Sequence, residues 1–356
     1  MRTKARSRTW GIVSAVALGI AGVSIASLSL RTAAVRLLPA DAPALRQIAP
    51  DNPDIALQRA TAALVKQRGI LDPKMLASVK RAALAAPLDA RPYLILGHQQ
   101  LLEAQPQRAV ETLEAGQRLD PRQRLIHLLL LDRYLRTGHY ADAATQFSVS
   151  ARLVGAAGEQ IAAAMAQMSL APQTRDAVRQ TLRSDPRLER TVLVALAKSS
   201  TAPATIFGLA SPVALATAGA TDSWGAPLIA RLVQKNQYGE AHAVWQQVYR
   251  VPPAQVAAPI YDAGFQKLPG SPPFNWTLAG GTLGAADMQN RGLNVEYYGR
   301  ASGELAGQLL VLQPGRYTFS VTIEGSKTAA GAALSWSLRC VSGSNSPLMA
   351  VPLSGT

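Results

Sequence analysis

The chain has 356 residues, of which 48% are hydrophobic, 16% are charged and 5% are aromatic. This composition is too apolar for an intrinsically disordered chain, and the length suits about two domains. The composition excludes three classes of protein: collagen, a bare coiled coil and a disulfide-stapled toxin. Because Cys340 is the single cysteine, an intrachain disulfide framework and a cysteine-based zinc site are excluded as well.

The formal net charge of +14 is spread along the chain rather than gathered in one patch. Residues 1–30 contain four basic and no acidic side chains, residues 31–270 contain 27 and 18, and residues 271–356 contain five and four. No Lys/Arg run is longer than two, and no aromatic-basic motif of the known DNA- or RNA-binding modules occurs. We therefore expect no nucleic-acid partner.

The N-terminus has the pattern of a membrane anchor. Residues 1–9 form a basic cytoplasmic tail, and residues 10–30 follow without a charged side chain. As an α-helix this stretch would be about 31 Å long, which matches the roughly 30 Å hydrocarbon core of a membrane. The preceding basic residues predict a cytoplasmic N-terminus and an exported remainder. We expect a single-pass signal anchor in the inner membrane and a periplasmic bulk, with a cleaved signal peptide as the alternative.

Residues 41–267 are rich in Ala, Leu, Gln and Arg, and their apolar positions return every three or four residues. This is the period of amphipathic α-helices, so we expect helices and no strands here. Prolines divide the region into segments, with breakers at Pro43, Pro50, Pro53, Pro73, Pro87, Pro106, Pro121, Pro172, Pro186, Pro203 and Pro212.

A repeat of 34 residues is visible inside this helical region. A shift by 34 places aligns five positions with like residues: Pro87 with Pro121, Leu94 with Leu128, Leu101 with Leu135, Ala109 with Ala143 and Leu113 with Phe147. Residues 90–123 and 124–157 resemble tetratricopeptide repeats on these residues together with Gly97, Gly116, Tyr134, Gly138 and Tyr140, and residues 222–255 resemble a degenerate third repeat.

The resemblance to tetratricopeptide repeats implies a solenoid of helix hairpins that binds a peptide or protein on its concave face. Small Ala109 and Ala143 would lie at close helix contacts, while Tyr140 and Phe147 would fill the groove to the neighbouring helix. Two alternatives stay open: a general helical-hairpin solenoid of another kind, and a helical spacer that only holds the terminal domain away from the membrane.

The pattern changes at residues 268–273, a proline-rich LPGSPP sequence, after which the hydrophobic period becomes two. Apolar and polar residues alternate over 293–298, 316–324 and 334–340, and shorter strands are expected at 274–278, 309–312 and 348–353. Six or more strands in residues 271–356 predict a small all-β sandwich. The expected fold is therefore multidomain: one transmembrane helix, an all-α helical-hairpin solenoid and a C-terminal β-sandwich.

Residues 308–325 (QLLVLQPGRYTFSVTIEG) and 334–340 (LSWSLRC) resemble the jelly-roll sandwiches of carbohydrate-binding modules and galactose-binding-like domains. The shared features are a strand, a Pro-Gly turn and a strand that begins with tyrosine. The resemblance implies a sugar ligand, because sugars stack on aromatic faces through their apolar C–H surfaces.

The alternation also predicts which side chains face inward and outward in this domain. Tyr297, Tyr317, Phe319, Trp336 and Cys340 share the inward phase, and Cys340 is accordingly expected to be buried, with pairing between molecules as the alternative. The candidate ligand-binding residues are Tyr298, Arg339 and Glu296 on the outward phase, with Trp276 and Asp287 as candidates in loops. An ordinary solvated β-face is the alternative interpretation.

No pattern in the sequence indicates catalysis. The histidines at 98, 127, 139 and 242 have no partner at metal-ligand spacing, and no nucleophile elbow, P-loop or dinucleotide fingerprint occurs. We therefore expect no cofactor, no metal site and no enzyme.

The expected function is that of a non-catalytic, membrane-anchored periplasmic scaffold or adaptor in cell-envelope assembly. Its partners would be subunits of an envelope protein complex, and the process would be assembly or export of a surface polysaccharide. The alternative is a protein-only assembly factor whose sandwich docks on a partner subunit without any sugar. An enzyme of polysaccharide modification is a third hypothesis, but it needs an acidic pair that the sequence does not indicate.

Overall fold

A computed structural model of the chain describes residues 24, 26–35, 37, 42–48, 52–66, 69–154, 158–299, 301–324, 334–341 and 346–353. The chain divides into two compact units, Met1–Gly158 and Glu159–Thr356. The described part is mostly α-helical and carries small antiparallel sheets near its C-terminus. The predicted anchor at residues 10–30 lies mostly outside the described residues. Among those that are described, no helix is both long and apolar enough to cross a membrane.

The first unit contains seven helices with described bounds: α1 (Pro43–Ile48), α2 (Pro53–Lys66), α3 (Pro73–Ala85), α4 (Arg91–Leu102), α5 (Pro106–Leu119), α6 (Arg124–Thr137) and α7 (Tyr140–Val154). Eight more follow: α8 (Gly158–Leu170), α9 (Pro172–Ser184), α10 (Pro186–Lys198), α11 (Pro203–Leu209), α12 (Pro212–Ala216), α13 (Gly225–Gln234), α14 (Tyr238–Tyr249) and α15 (Pro253–Val256).

Most of the predicted proline breakers turn out to be the first residues of these helices. Proline suits this position because its fixed φ is already helical and its missing N–H has no partner in the first turn. Polar side chains cap several of the same helices: Asp72 Oδ1 accepts from Met75 N at 2.8 Å, and Ser211 Oγ accepts from Ala214 N at 3.1 Å. The prediction of helices without strands holds for the described residues between 42 and 267.

Successive helices pack as hairpins in both units, in the pairs α2–α3, α4–α5, α6–α7 and α13–α14. Helices α4 and α6 begin 33 residues apart, at Arg91 and Arg124, and α5 and α7 begin 34 residues apart, at Pro106 and Tyr140. This spacing agrees with the period found in the sequence. A helical repeat is therefore consistent with the fold.

Small residues let the two helices of a hairpin approach closely. Ala109 on α5 and Ala143 on α7 are both fully buried, as predicted. On α4, a Cβ added to Gly97 would lie 2.6 Å from Leu113 Cγ, which is closer than any real contact. Neighbouring hairpins are joined by a hydrogen bond as well, since the hydroxyl of Tyr134 donates to Glu114 Oε1 at 2.7 Å.

The buried side chain of Gln99 fixes the loop between α2 and α3 against α4. Its Oε1 accepts from Leu71 N at 3.1 Å, and its Nε2 donates to the carbonyl of Gly69 at 2.6 Å. Buried polar groups are costly unless they are bonded, so this amide specifies one arrangement of the loop.

The sheets are short, with strands β1 (Thr277–Leu278), β2 (Gly284–Gln289), β3 (Gly292–Tyr297), β4 (Ala306–Gly307), β5 (Ser335–Leu338) and β6 (Met349–Pro352). They pair antiparallel as β1–β4, β2–β3 and β5–β6. Strands β2 and β3 form a hairpin whose two loop residues, Asn290 and Arg291, have φ values of 50° and 60°. Positive φ at both positions matches the right-handed twist of the flanking strands.

The prediction of a six-stranded sandwich is corrected by these sheets, which within the described residues are three separate two-stranded ladders and not a closed sandwich. Residues 316–324 are in no ladder, and Tyr317 and Phe319, predicted to face inward, are 51% and 37% exposed. Cys340 is exposed rather than buried. Alternation predicts which side chains share a face, but a face is buried only where a second layer covers it.

Burial of Ala143 yields a stability prediction. Ala143→Leu should overpack the α6–α7 hairpin and lower the free energy of unfolding by about 1–3 kcal/mol, measured by thermal or urea denaturation. The matched control is Ala141→Leu, because Ala141 is exposed on the same helix. Equal stability of the two variants would show that the α6–α7 contact is not as close as described.

Candidate functional site

Trp245 on α14 lies at the centre of a buried aromatic cluster in the second unit. Its ring meets Tyr261 edge-on at 5.0 Å between centroids and Phe274 at 5.9 Å, and it stacks on His242 at 5.9 Å with an interplanar angle of 12°. Its Nε1 donates to the carbonyl of Ser271 at 2.7 Å. The proline-rich stretch that the sequence indicated as a boundary is therefore packed onto α14.

Gly270 is required where this stretch crosses the tryptophan. Its φ is +121°, and a Cβ there would lie 2.5 Å from Trp245 Cζ2. The neighbouring backbone is held by side chains: Asn275 Nδ2 donates to the carbonyls of Leu268 and Gly270 at 3.1 and 2.8 Å, and the hydroxyl of Tyr261 donates to the carbonyl of Pro269 at 2.6 Å. Every one of these contacts fixes the chain just before Trp276.

A second set of aromatic side chains is only partly buried, and we call it the aromatic row. It runs from Phe265 through Trp276 and Trp336 to Phe319, with successive ring centroids 5.1, 6.0 and 5.7 Å apart. The rings meet at angles of 40°, 65° and 61°, in tilted and edge-to-face contacts. The indole of Trp276 is oriented by a 3.1 Å hydrogen bond from its Nε1 to the carbonyl of Asp262.

Asp262 holds two members of the aromatic row, Phe265 and Trp276, in place. Its buried carboxylate accepts from Gln266 N at 2.7 Å and from Leu268 N at 3.2 Å, so that the loop carrying Phe265 closes around it. Both ends of the Phe265–Trp276 contact therefore depend on one residue. This end of the row is pre-organised, so it can bind a ligand without first ordering the side chains of Phe265 and Trp276.

The chemistry open to the aromatic row is stacking on apolar surface. Aromatic faces bind the C–H surfaces of sugar rings or the flat faces of other apolar groups, while Trp and Tyr keep a polar edge for hydrogen bonding. Among the described residues there is no group of three or more His, Cys, Asp and Glu side chains that could hold a metal ion.

The five residues predicted as ligand contacts are divided among three places. Trp276 is in the aromatic row. Asp287, Glu296 and Tyr298 share one face of the β2–β3 hairpin, because Asp287 is opposite Asn294, and Ala285 is opposite Glu296. Arg339 instead pairs with Glu304, with 2.8 Å between Nη2 and Oε2 and both side chains more than half exposed.

The predicted outward phase of β3 is confirmed, since Glu296 is exposed and Tyr298 is 49% exposed, while Leu293, Val295 and Tyr297 are partly buried. The predicted phase of residues 334–338 also holds, since Leu334, Trp336 and Leu338 are partly buried while Ser335 and Ser337 are exposed. Trp336 is nevertheless not a core residue, because its ring is only partly buried and belongs to the aromatic row. Phe265 and Trp245 were not predicted as residues of a functional site. The signal that could have found them is the concentration of aromatic residues on both sides of the proline-rich stretch.

A cavity of about 280 Å³ lies beside the buried cluster. It is lined by residues 256–259 and 309–313 together with His242, Tyr261, Phe274 and Tyr317. Burial lowers the pKa of His242, and its Nδ1 accepts a 3.2 Å hydrogen bond from Gln246 Nε2. The imidazole is therefore harder to protonate than that of a histidine in water.

No protein-family model matches the chain, and no curated protein sequence matches it significantly. The likeness to tetratricopeptide repeats and to carbohydrate-binding jelly rolls accordingly stays a resemblance of pattern.

Gly270→Ala should destabilise the second unit by about 1–3 kcal/mol, because the added methyl group meets Trp245 and the left-handed backbone becomes strained. Gly239→Ala is the matched control, since a Cβ at Gly239 on α14 meets nothing within 4 Å. Denaturation of both variants measures the difference. Equal stabilities would contradict the packing of residues 269–271 on the tryptophan.

His242 predicts a pH dependence of stability. An unfolded chain protonates this histidine near its ordinary pKa of 6.5, whereas burial lowers the pKa in the folded protein. As the pH falls from 7 to 5 the unfolded chain therefore binds more protons, and the free energy of unfolding decreases. His242→Phe keeps a ring but removes the titration, so its stability should fall less over this range. If variant and wild type lose the same free energy of unfolding over this range, His242 is exposed to solvent rather than buried.

Proposed function

We propose that the protein is a non-catalytic scaffold of the cell envelope whose C-terminal region binds a polysaccharide through the aromatic row. The observation that carries the proposal is the row itself: four adjacent aromatic side chains that remain partly open to solvent, two of which, Phe265 and Trp276, are held by Asp262. Adjacent aromatic side chains that are left partly open to solvent form a continuous apolar patch, and such patches are typical of binding surfaces.

The location in the envelope is supported by the sequence. The uncharged stretch at 10–30 follows four basic residues, a pattern typical of a signal anchor with an exported C-terminal part. The helical hairpins would then lie along the chain between the anchor and the aromatic row. They would also offer their own surface to subunits of an envelope complex.

A second candidate is a protein-only assembly factor. It is favoured by a different observation, the exposure of Tyr317, Phe319, Val321 and Ile323 along one stretch of chain that is outside any ladder in the described part. Contiguous apolar side chains of this kind also suit a protein partner.

Binding of polysaccharides to the purified full-length chain, measured by retardation in polysaccharide-containing gels and by calorimetry, separates the two candidates. Phe319→Ala and Trp276→Ala should each weaken binding about tenfold, because each removes one stacking surface. Tyr298→Ala is the matched control, an exposed tyrosine of the same unit outside the aromatic row.

Three outcomes are informative. Loss of binding in the row variants with binding retained in Tyr298→Ala supports the aromatic row as the site. The reverse pattern moves the site to the β2–β3 face with Asp287, Glu296 and Tyr298. If the wild-type chain binds neither neutral nor acidic polysaccharides, the polysaccharide proposal fails and the protein-only factor replaces it.

A further inference from the structure

Residues 316–324 (RYTFSVTIE), which we call the pairing segment, have the composition of a strand but no strand partner. All nine residues are exposed, and in the described part of the chain none of their backbone groups bonds to another backbone group. Within the described residues, the hydrogen bond that the segment does make is local, from the hydroxyl of Tyr317 to the carbonyl of Gln313 at 2.7 Å. Unpaired segments of this kind are templates for another strand.

The chemistry of the pairing segment is symmetric about Ser320. If two copies run antiparallel with Ser320 opposite Ser320, Arg316 of each copy comes to lie opposite Glu324 of the other. The remaining opposite pairs are Tyr317 with Ile323, Thr318 with Thr322 and Phe319 with Val321. Opposite charges, paired threonines and aromatic with β-branched side chains are the combinations that stabilise antiparallel strands.

Neighbouring two-fold registers do not place an opposite charge across from Arg316 and Glu324 at the two ends of the segment. A shift of the centre to Phe319 sets Arg316 opposite Thr322 and moves Glu324 opposite Pro314, which has no N–H to donate. A shift of the centre to Val321 sets Glu324 opposite Thr318. The two charge pairs therefore select one alignment, and that alignment has the two-fold symmetry of a homodimer.

We propose that the protein dimerises by antiparallel pairing of residues 316–324 of two copies around a two-fold axis at Ser320. The occupant of the unpaired segment is a second copy because the segment is complementary in charge to itself. Residues opposite each other in such a ladder share a face, so the Phe319 side chains of both copies lie on the same side. The dimer would therefore bring two aromatic rows together on one surface. The dimer proposal does not depend on which ligand those rows bind.

Site-specific cross-linking of the full-length chain tests the register. In a Cys340→Ser background, Ser320→Cys should form an intermolecular disulfide on mild oxidation, because its two copies face each other across the axis. Thr318→Cys is the matched control: its two copies would be about 13 Å apart along the strands, too far for a disulfide. Thr318→Cys should cross-link only when it is mixed with Thr322→Cys.

Charge exchange tests the same pairing without relying on cysteine geometry. Arg316→Glu or Glu324→Arg alone sets like charges opposite each other at both ends and should weaken the dimer about tenfold. The double variant R316E/E324R should restore wild-type dimerisation, and a mixture of the two single variants should form mixed dimers.

The proposal is overturned if Ser320→Cys gives no dimer, or if Thr318→Cys alone cross-links as well as Ser320→Cys, which would indicate an unregistered association. It is also overturned if the double charge variant dimerises no better than the single variants. These outcomes do not depend on polysaccharide, so a failed binding proposal and a failed dimer are distinguishable.

Discussion

The packing of residues 261–274 on Trp245 is the interaction on which the geometry of the second unit depends. A fully buried tryptophan removes a large apolar area from water, and here that area is covered by Tyr261, Phe274 and the backbone at Gly270. The hydrogen bond to Ser271 fixes the direction of the chain as it leaves the cluster. Without this contact the stretch that carries Phe265 and Trp276 would have no fixed position relative to α14.

The aromatic side chains of this unit thus have two roles that differ in burial. Those around Trp245 are inside and supply stability, while those of the aromatic row are partly open and supply contact area. The two sets are linked through Asp262, whose carboxylate and carbonyl hold the loop at 265 and the indole of Trp276. Holding Phe265 and Trp276 in one arrangement lowers the entropy cost of binding a ligand through them, which is the physical basis of the proposed function.

The sequence predicted the helices well because their apolar period and their N-terminal prolines are local signals. It also predicted the alternation of β3, which depends only on a period of two. It did not predict that the sheets of the described residues are separate two-stranded ladders, or that Cys340 is exposed, because alternation does not say whether a second sheet lies over a face. Trp336 was assigned to the core for the same reason. Its neighbours Trp276 and Phe319 are distant in sequence, and their contact depends on how the loop at 262–276 is held.

Hydrogen exchange of the intact protein tests most directly whether Trp245 holds the C-terminal region in place. Trp245→Leu should accelerate exchange at α14 and at amides that depend on the packed loop, including Leu309 N, which donates to the carbonyl of Pro273 at 2.8 Å, and the short β1–β4 ladder. The comparison is Trp224→Leu, because Trp224 is equally buried but contacts Phe207 and the carbonyl of Ala214 instead. Faster exchange at Leu309 in Trp245→Leu alone is the predicted result, and the same exchange there in both variants would contradict the account.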